Sequence, residues 1–310
     1  MKVFLTGGSG FVGQNLIPEL LKNGYEVLAL ARSNSSLEAV ERLGAEAIIG
    51  SLNDLKPIAK IITQCDMVIH MAAYMDFKFD YSNFYQTNFL ATKDLYDIAK
   101  TSQQISKFVY ISAASVVAGD NLSIVIDEEF FPKSPTKDYY SRTKHLAESY
   151  VRQNTAKNFS TIILRPSFIW GEGSSALDEI ITYAKKGKFR FIGNGNNILS
   201  LTHIDNLVQA IILSIKSEIG NDLFFITDDM QIPFKEFINQ QLGNMNIAPV
   251  RKYINRTLAI WLSDITEFLW HTFKIKSTPL ITPGLIDLMG SNAILSNSKA
   301  KAKLGYKPIC

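Results

Sequence analysis

This sequence of 310 residues is poor in cysteine, in histidine and in excess charge of either sign. Cys65 lies in an apolar run and Cys310 at the end, so neither a disulfide framework nor a thiolate metal site is expected. The four histidines, His70, His145, His203 and His271, form no close pair, which leaves a zinc motif without support; no metal is expected. With 32 Lys+Arg against 29 Asp+Glu, the chain lacks the strong basic bias of a nucleic-acid binder, and no nucleic-acid partner is expected. The start, Met1-Lys2 running directly into Val3-Phe4-Leu5-Thr6-Gly7-Gly8, lacks a secretory signal, so the cytoplasm is the expected compartment. What is present is ordinary globular material, 46% hydrophobic, enough for one large domain or two closely joined ones.

The nearest thing to a long apolar run is Leu258–Phe273, LAIWLSDITEFLWHTF. It is shorter than the ~20 residues of a membrane span, and Asp264 and Glu267 interrupt it. Asp264, Glu267, His271 and Lys274 recur at helical spacing opposite Leu258, Trp261, Leu262, Ile265, Phe268 and Leu269, an amphipathic helix. Such a helix packs on its own domain or on a partner subunit. Alternatively it lies on a membrane surface through 257–273, a reading favoured by Trp261, Trp270 and the flanking Arg251, Lys252, Arg256, Lys274 and Lys276. The segment Arg251–Lys276 holds five Lys/Arg and two Asp/Glu, an excess equal to the whole chain's +3.

The first half alternates short apolar runs with helical patterns. Strands are expected at Val3–Thr6, Glu26–Ala31, Ala45–Ile49, Met67–His70, Lys107–Ser112 and Thr161–Leu164, and helices at Phe11–Lys22, Ser35–Arg42, Leu55–Gln64, Phe84–Thr101 and Thr136–Lys157. Strands apolar throughout, each followed by a helix, indicate an α/β fold with a doubly wound parallel sheet covered on both faces. After residue 166 the pattern loosens, with Gly, Asn and Pro clusters at Gly171–Ser175, Gly193–Asn197 and Thr278–Pro283. The division expected is a dinucleotide-binding domain over 1–166 and a smaller, mostly helical substrate-binding region over 167–310, with 204–227 returning to the first domain through the strand Leu223–Thr227.

Between the first strand and first helix stands Gly7-Gly8-Ser9-Gly10-Phe11-Val12-Gly13. In that position a glycine loop binds a dinucleotide. Gly7 permits the tight turn, Gly10 lets the backbone approach a pyrophosphate, and Gly13 lets helix and strand pack closely. The helix start, Phe11 and Val12, offers free N–H groups and partial positive charge. The second strand ends Leu30-Ala31-Arg32-Ser33, without the acid that binds a ribose 2′-OH in NAD sites. Arg32 can pair with a 2′-phosphate instead, which favours NADP over NAD; a solvated surface arginine beside a permissive site is the alternative.

Several motifs follow in order: the glycine loop, Val68-Ile69-His70-Met71-Ala72-Ala73, Thr87-Asn88-Phe89-Leu90-Ala91-Thr92, Tyr140-Ser141-Arg142-Thr143-Lys144 and Leu164-Arg165-Pro166-Ser167-Phe168-Ile169-Trp170-Gly171. Over nearly its whole length the chain resembles the extended short-chain dehydrogenase/reductase family, of the NAD(P)-dependent epimerase/dehydratase type, whose fold is the Rossmann fold. The resemblance implies that Ala72 and Ala73 flank the cofactor, that Pro166 to Ile169 lie beside the nicotinamide, and that the protein is a homodimer built on helix pairs like Phe84–Thr101 and Thr136–Lys157. Ser51 stands where many members carry an adenine-binding acid. Relatives commonly continue beyond the run Gly305–Cys310 into a final helix, so a shortened C-terminus is an expectation.

Tyr140 and Lys144, four apart on a helix, project from one face. A free tyrosine has a pKa of about 10, and a nearby ammonium together with a cationic nicotinamide lowers it. Tyr140 then gives a proton to a carbonyl oxygen as hydride arrives, or removes it from an alcohol in reverse. Lys144 tunes Tyr140 and holds the nicotinamide ribose. On spacing alone the pair is also compatible with an ordinary helix surface. The family's active-site hydroxyl falls on Ala113 by an ungapped match and on Ala114 when matched from Gly119; Ser112 and Ser115 bracket the gap. Ser115 is the chosen candidate, with Ser112 in reserve.

Three reactions of this family compete. Dehydratases carry an Asp-Glu pair after the hydroxyl, which Ser115-Val116-Val117 lacks. Sugar-nucleotide epimerases need a cation for the substrate pyrophosphate, and Asn196–Asp205 is apolar where it is expected, leaving only Lys188 or Arg190. The branch of 3β-hydroxysteroid dehydrogenase-like and dihydroflavonol-reductase-like enzymes, which interconvert an alcohol and a ketone on an apolar ring or acyl substrate, fits Thr202-His203-Ile204-Asp205-Asn206 and the aromatic helix before Leu280–Met289. A nucleotide-sugar epimerase and a non-catalytic NAD(P)-binding sensor or scaffold are the alternatives.

Overall fold

A computed structural model describes residues 1–76, 80–117, 125–130, 136–273, 275, 279, 281–292 and 294–309. Gly119, Lys274, Lys276, Thr278, Leu280 and Cys310, which bear on the expectations above, lie outside the described residues. The chain runs β1 (Lys2–Thr6), α1 (Phe11–Lys22), β2 (Glu26–Ala31), α2 (Asn34–Glu41), β3 (Glu46–Ile49), β4 (Met67–His70), α3 (Ala91–Thr101), β5 (Lys107–Ile111), α4 (Tyr139–Gln153) and β6 (Ser160–Pro166). It continues through β7 (Phe168–Trp170), α5 (Ser175–Lys185), β8 (Ile198–His203), α6 (Ile204–Lys216), β9 (Asp222–Ile226), β10 (Gln231–Pro233), α7 (Phe234–Asn244), α8 (Arg256–Phe273), α9 (Pro283–Gly290) and α10 (Ser298–Leu304).

Seven strands form one parallel sheet in the order β9-β6-β5-β4-β1-β2-β3. Successive side chains leave a strand on opposite faces, so Val3 and Leu5 meet one helical layer and Phe4 the other. On the first face Leu16, Ile17 and Leu20 of α1 and Leu207 and Ile211 of α6 cover Ile69, Val109 and Ile162. On the second, Leu95, Tyr96 and Ala99 of α3 and Ala147 and Val151 of α4 cover Val68, Phe108 and Ile163. Each aliphatic side chain so buried contributes about 1.5–3 kcal/mol, which is why helices of modest length hold against the sheet. The later strand candidate does join this sheet, as β9 beside β6. A second unit, the small sheet β10-β8-β7 with helices α5, α7, α8 and α9, has its own apolar cluster around Phe191, Phe234 and Phe237.

Three helices differ from their expected form. The one expected over Thr136–Lys157 spans Tyr139–Gln153, because Asp138 caps its start by accepting from the Ser141 amide at 2.8 Å. The one expected over Phe84–Thr101 is a turn of α-helix at Tyr81–Phe84, a π-helical stretch at Tyr85–Leu90, then α3. The third, Leu55–Gln64, is reduced to a 3₁₀ turn at Lys56–Ile58 and one α turn at Ala59–Ile62, with Pro57 inside the first turn. The amphipathic helix is there as α8, yet it does not pack its apolar stripe on its own domain. Ala259 and Ser263 face inward, while Leu258 (52% exposed), Trp261 (66%), Ile265 (49%) and Phe268 (66%) face out.

Candidate active site

The glycine loop closes the C-terminal end of β1. Gly7 has φ +83°, and a Cβ there would stand 3.0 Å from the Ala72 amide nitrogen, so the loop after β4 lies directly on the turn. A Cβ at Gly13 would stand 2.4 Å from the carbonyl oxygens of both Gly7 and Gly8. Gly10 caps α1 with extended backbone and no side chain, and the first turn of α1 carries no acid. The amides of Phe11, Val12 and Gly13 therefore start an open, positively polarised helix end that suits a pyrophosphate. These residues fit a dinucleotide. Ala72 donates to Thr6 Oγ1 at 3.2 Å, with Ala73 next in the same loop. Pro166 ends β6, and Ile169 packs in the same cluster as Phe11 and Val12. Arg32 follows β2 directly, is exposed, and pairs with no acid among the described residues; α2, which begins two residues later, has no acid in its first turn either.

Opposite this loop, α4 lays its first turns along the end of β5. Lys144 is buried, donates from Nζ to the Ile111 carbonyl at 2.6 Å and stands 4.2 Å from the centre of the Tyr110 ring. Burial brings its pKa down to about 7, with the Glu148 carboxylate acting in the other direction. Tyr140, one turn earlier, is half-buried, and its hydroxyl bonds to none of the described residues. The expected lowering of its pKa is not seen in the protein alone. Burial, and then the Asp138 carboxylate, hold the phenol above its usual value.

The two serines part company. Ser112 donates to Glu148 Oε2 at 2.7 Å, and Glu148 also accepts from Arg165 Nε at 2.9 Å, an enclosed ion pair that rivets α4 to β6. Ser115 lies on a 3₁₀ turn, Ala114–Val117, packed against α4, and its buried Oγ has no hydrogen-bond partner among the described residues. Ala113 and Ala114 are buried. Of the two serines, Ser115 is the one whose hydroxyl is free among the described residues.

Two polar networks here escaped the sequence reading. Thr92 Oγ1 donates to the Asn88 carbonyl at 2.7 Å, so it must accept from His70 Nε2 at 2.8 Å; His70 Nδ1 then accepts from Thr6 Oγ1 at 2.7 Å. Burial and the Lys144 ammonium keep this imidazole neutral, its pKa down to about 3. Asn88, turned inward by the π-helical stretch, accepts from the Tyr74 amide at 2.6 Å and donates to Thr143 Oγ1 at 3.2 Å. The second network is Ser112–Glu148–Arg165. Glu148 falls four residues after Lys144, a same-face spacing that was readable; its partner, far along the chain, was not.

Residues 3–224 match the NAD dependent epimerase/dehydratase family. The chain belongs to that family. It is 30% identical to a sterol-4-alpha-carboxylate 3-dehydrogenase, decarboxylating, of Dictyostelium discoideum, over 98% of this chain and 95% of that one. It is 29% identical to a 4-hydroxy-2-methyl-3-oxo-4-farnesyl-3,4-dihydroquinoline-1-oxide ketoreductase of Stigmatella aurantiaca, over 99% of this chain and 92% of that one. Among solved structures, a UDP-glucuronic acid 4-epimerase from Bacillus cereus in complex with NAD superposes with a TM-score of 0.77 at 20% identity, over 100% of this chain and 94% of that one. At that identity the superposition speaks for the fold. As a family member the chain carries the glycine loop, the Tyr140-x-x-x-Lys144 pair and the doubly wound sheet together.

Proposed function

We propose that this protein is an NADP-dependent oxidoreductase that interconverts an alcohol and a ketone on an apolar ring or acyl substrate. The observation that carries the reading is the free Ser115 hydroxyl on the turn packed against α4, the helix of Tyr140 and Lys144. Relatives named as a sterol 3-dehydrogenase and a quinoline-oxide ketoreductase support the apolar class of substrate. The dinucleotide would rest on Gly7, Gly10 and the amides of Phe11 to Gly13, flanked by Ala72, Ala73, Pro166 and Ile169, with Arg32 at the 2′-phosphate and Lys144 at the nicotinamide ribose. When bound, it supplies or accepts the hydride. Ser115 holds the reacting oxygen by a hydrogen bond, and Tyr140, kept protonated by burial and Asp138, delivers the proton in the reductive direction. Lys144, at a pKa of about 7, gains charge when anionic groups enter, and that charge favours release of the tyrosine proton.

The epimerase alternative finds little support, because Leu199 to Thr202 are buried in β8 and Lys188 and Arg190 are exposed in the segment that follows α5. A homodimer through the adjacent helices α3 and α4, and a cytoplasmic setting, complete the proposal; Leu146 on α4 is exposed for such a contact. The cofactor choice is tested with Arg32→Glu, which is expected to weaken NADPH binding about tenfold or more while leaving NADH binding nearly unchanged. Equal loss for both dinucleotides would contradict the assignment of Arg32.

A further inference from the structure

The apolar stripe of α8 faces outward. Its acidic residues are already engaged within the chain: Asp264 pairs with Lys137 at 3.3 Å, and Glu267 Oε1 accepts from Tyr139 Oη at 2.8 Å. The outer face carries Leu258, Trp261, Leu262, Ile265 and Phe268, with Phe273 also exposed at the far end of the helix; Asp264 is half exposed beside Trp261 and Phe268, and its charge is met there by Lys137. A second, independent feature abuts the start of this helix. Tyr253–Ile254 pairs with Phe191–Ile192, and Lys252 Nζ donates to the Gly187 carbonyl at 2.9 Å. These contacts join two segments, 185–190 and 251–256, that contain no acid and expose Lys185, Lys186, Lys188, Arg190, Arg251 and Lys252.

We propose that α8 is the docking face by which the protein lies on an anionic phospholipid bilayer. Trp261, Ile265 and Phe268 enter the boundary between headgroups and acyl chains, and the joined cationic segments meet the headgroup phosphates. A second copy of the chain is a poorer occupant. Arg251 and Lys252, both exposed, stand just before the stripe, so side-by-side parallel pairing with a second copy sets cations against cations. Among the described residues no helix is long and apolar enough to cross a membrane, so the contact is peripheral. The docking face is also tied to the candidate active site. The Lys137–Asp264 and Tyr139–Glu267 contacts join α8 to the start of α4, immediately before Tyr140, and Thr136 donates to Asp287 of α9 at 2.9 Å. If the proposed function holds, an apolar substrate dissolved in the bilayer reaches the site without crossing water.

The test is co-sedimentation of the full chain with vesicles of phosphatidylcholine containing about a third phosphatidylserine, against phosphatidylcholine alone. Binding is expected to the anionic vesicles, to fall with added salt, and to drop about tenfold or more in W261E/F268E and in K186E/R251E. Unchanged thermal unfolding in both doubles shows that the fold is intact. Absence of binding by the unmodified protein, or equal binding by both doubles, overturns the proposal. So does a dimer in gel filtration that W261E/F268E converts to monomer without any vesicle binding. Pelleting needs no turnover: a protein that pellets yet reduces no ketone refutes the proposed function and leaves the docking face standing.

Discussion

Two serines three residues apart show how completely position decides the role of one hydroxyl. Ser112 donates its proton to Glu148, inside an ion pair shielded from water, whereas the buried oxygen of Ser115 has no partner among the described residues. A buried polar atom without a partner is costly, and it persists where a ligand completes it. The two alanine variants should therefore split. Ser115→Ala is expected to lower kcat for ketone reduction about tenfold or more with unfolding temperature nearly unchanged. Ser112→Ala is expected to keep turnover and lose about 1–3 kcal/mol of stability, because a charge-assisted bond in a buried network goes unreplaced. Steady-state kinetics and denaturant unfolding on both variants check the pair. The reverse pattern would give the substrate hydroxyl role to Ser112.

Among the elements, β1, β4 and α3 are joined by one neutral imidazole. His70 reaches Thr6 on one strand and Thr92 on the helix, and burial holds its pKa at about 3 against about 6.5 for a free histidine. Between those values the unfolded chain binds a proton that the folded chain refuses, so stability is fully present above about pH 6.5 and is lost as pH falls toward 3. Unfolding temperature measured from pH 7 to 4 is expected to fall more steeply in the unmodified protein than in His70→Asn. Equal slopes would show that His70 takes up its proton in the folded state.

The strands and most helices were legible beforehand because their signals are local: continuous apolar runs for buried strands, a 3.6-residue period for α1, and the glycine spacing of the loop. The π-helical stretch was not, since nothing in Tyr85–Leu90 differs locally from α-helix; the inward bonds of Asn88 to Tyr74 and Thr143 accompany it. Nor was the outward turn of the α8 stripe. An amphipathic pattern states that a helix has two faces, and the inward position went to the face with the small residues Ala259 and Ser263 and with Glu267, which finds Tyr139. At the site, Tyr140, Lys144 and the loop were readable from spacing and resemblance. The free hydroxyl of Ser115 depended on a 3₁₀ turn that only the fold supplies.

For the molecule as a whole, the doubly wound sheet brings the dinucleotide loop and the start of α4 to the same strand ends, and the second unit meets the start of α4 through the Thr136–Asp287, Lys137–Asp264 and Tyr139–Glu267 contacts. The proposed chemistry requires that Tyr140 move the proton in a hydride transfer to an apolar ketone. Its most direct measurement is single-turnover reduction of a panel of apolar ketones by NADPH, comparing the unmodified protein with Tyr140→Phe and recording NADPH affinity for both. Both proteins are expected to bind NADPH about equally, with reduction at least about a hundredfold slower without the phenol hydroxyl. Equal reduction rates in the two proteins, or NADPH bound with no ketone reduced by either, would contradict it.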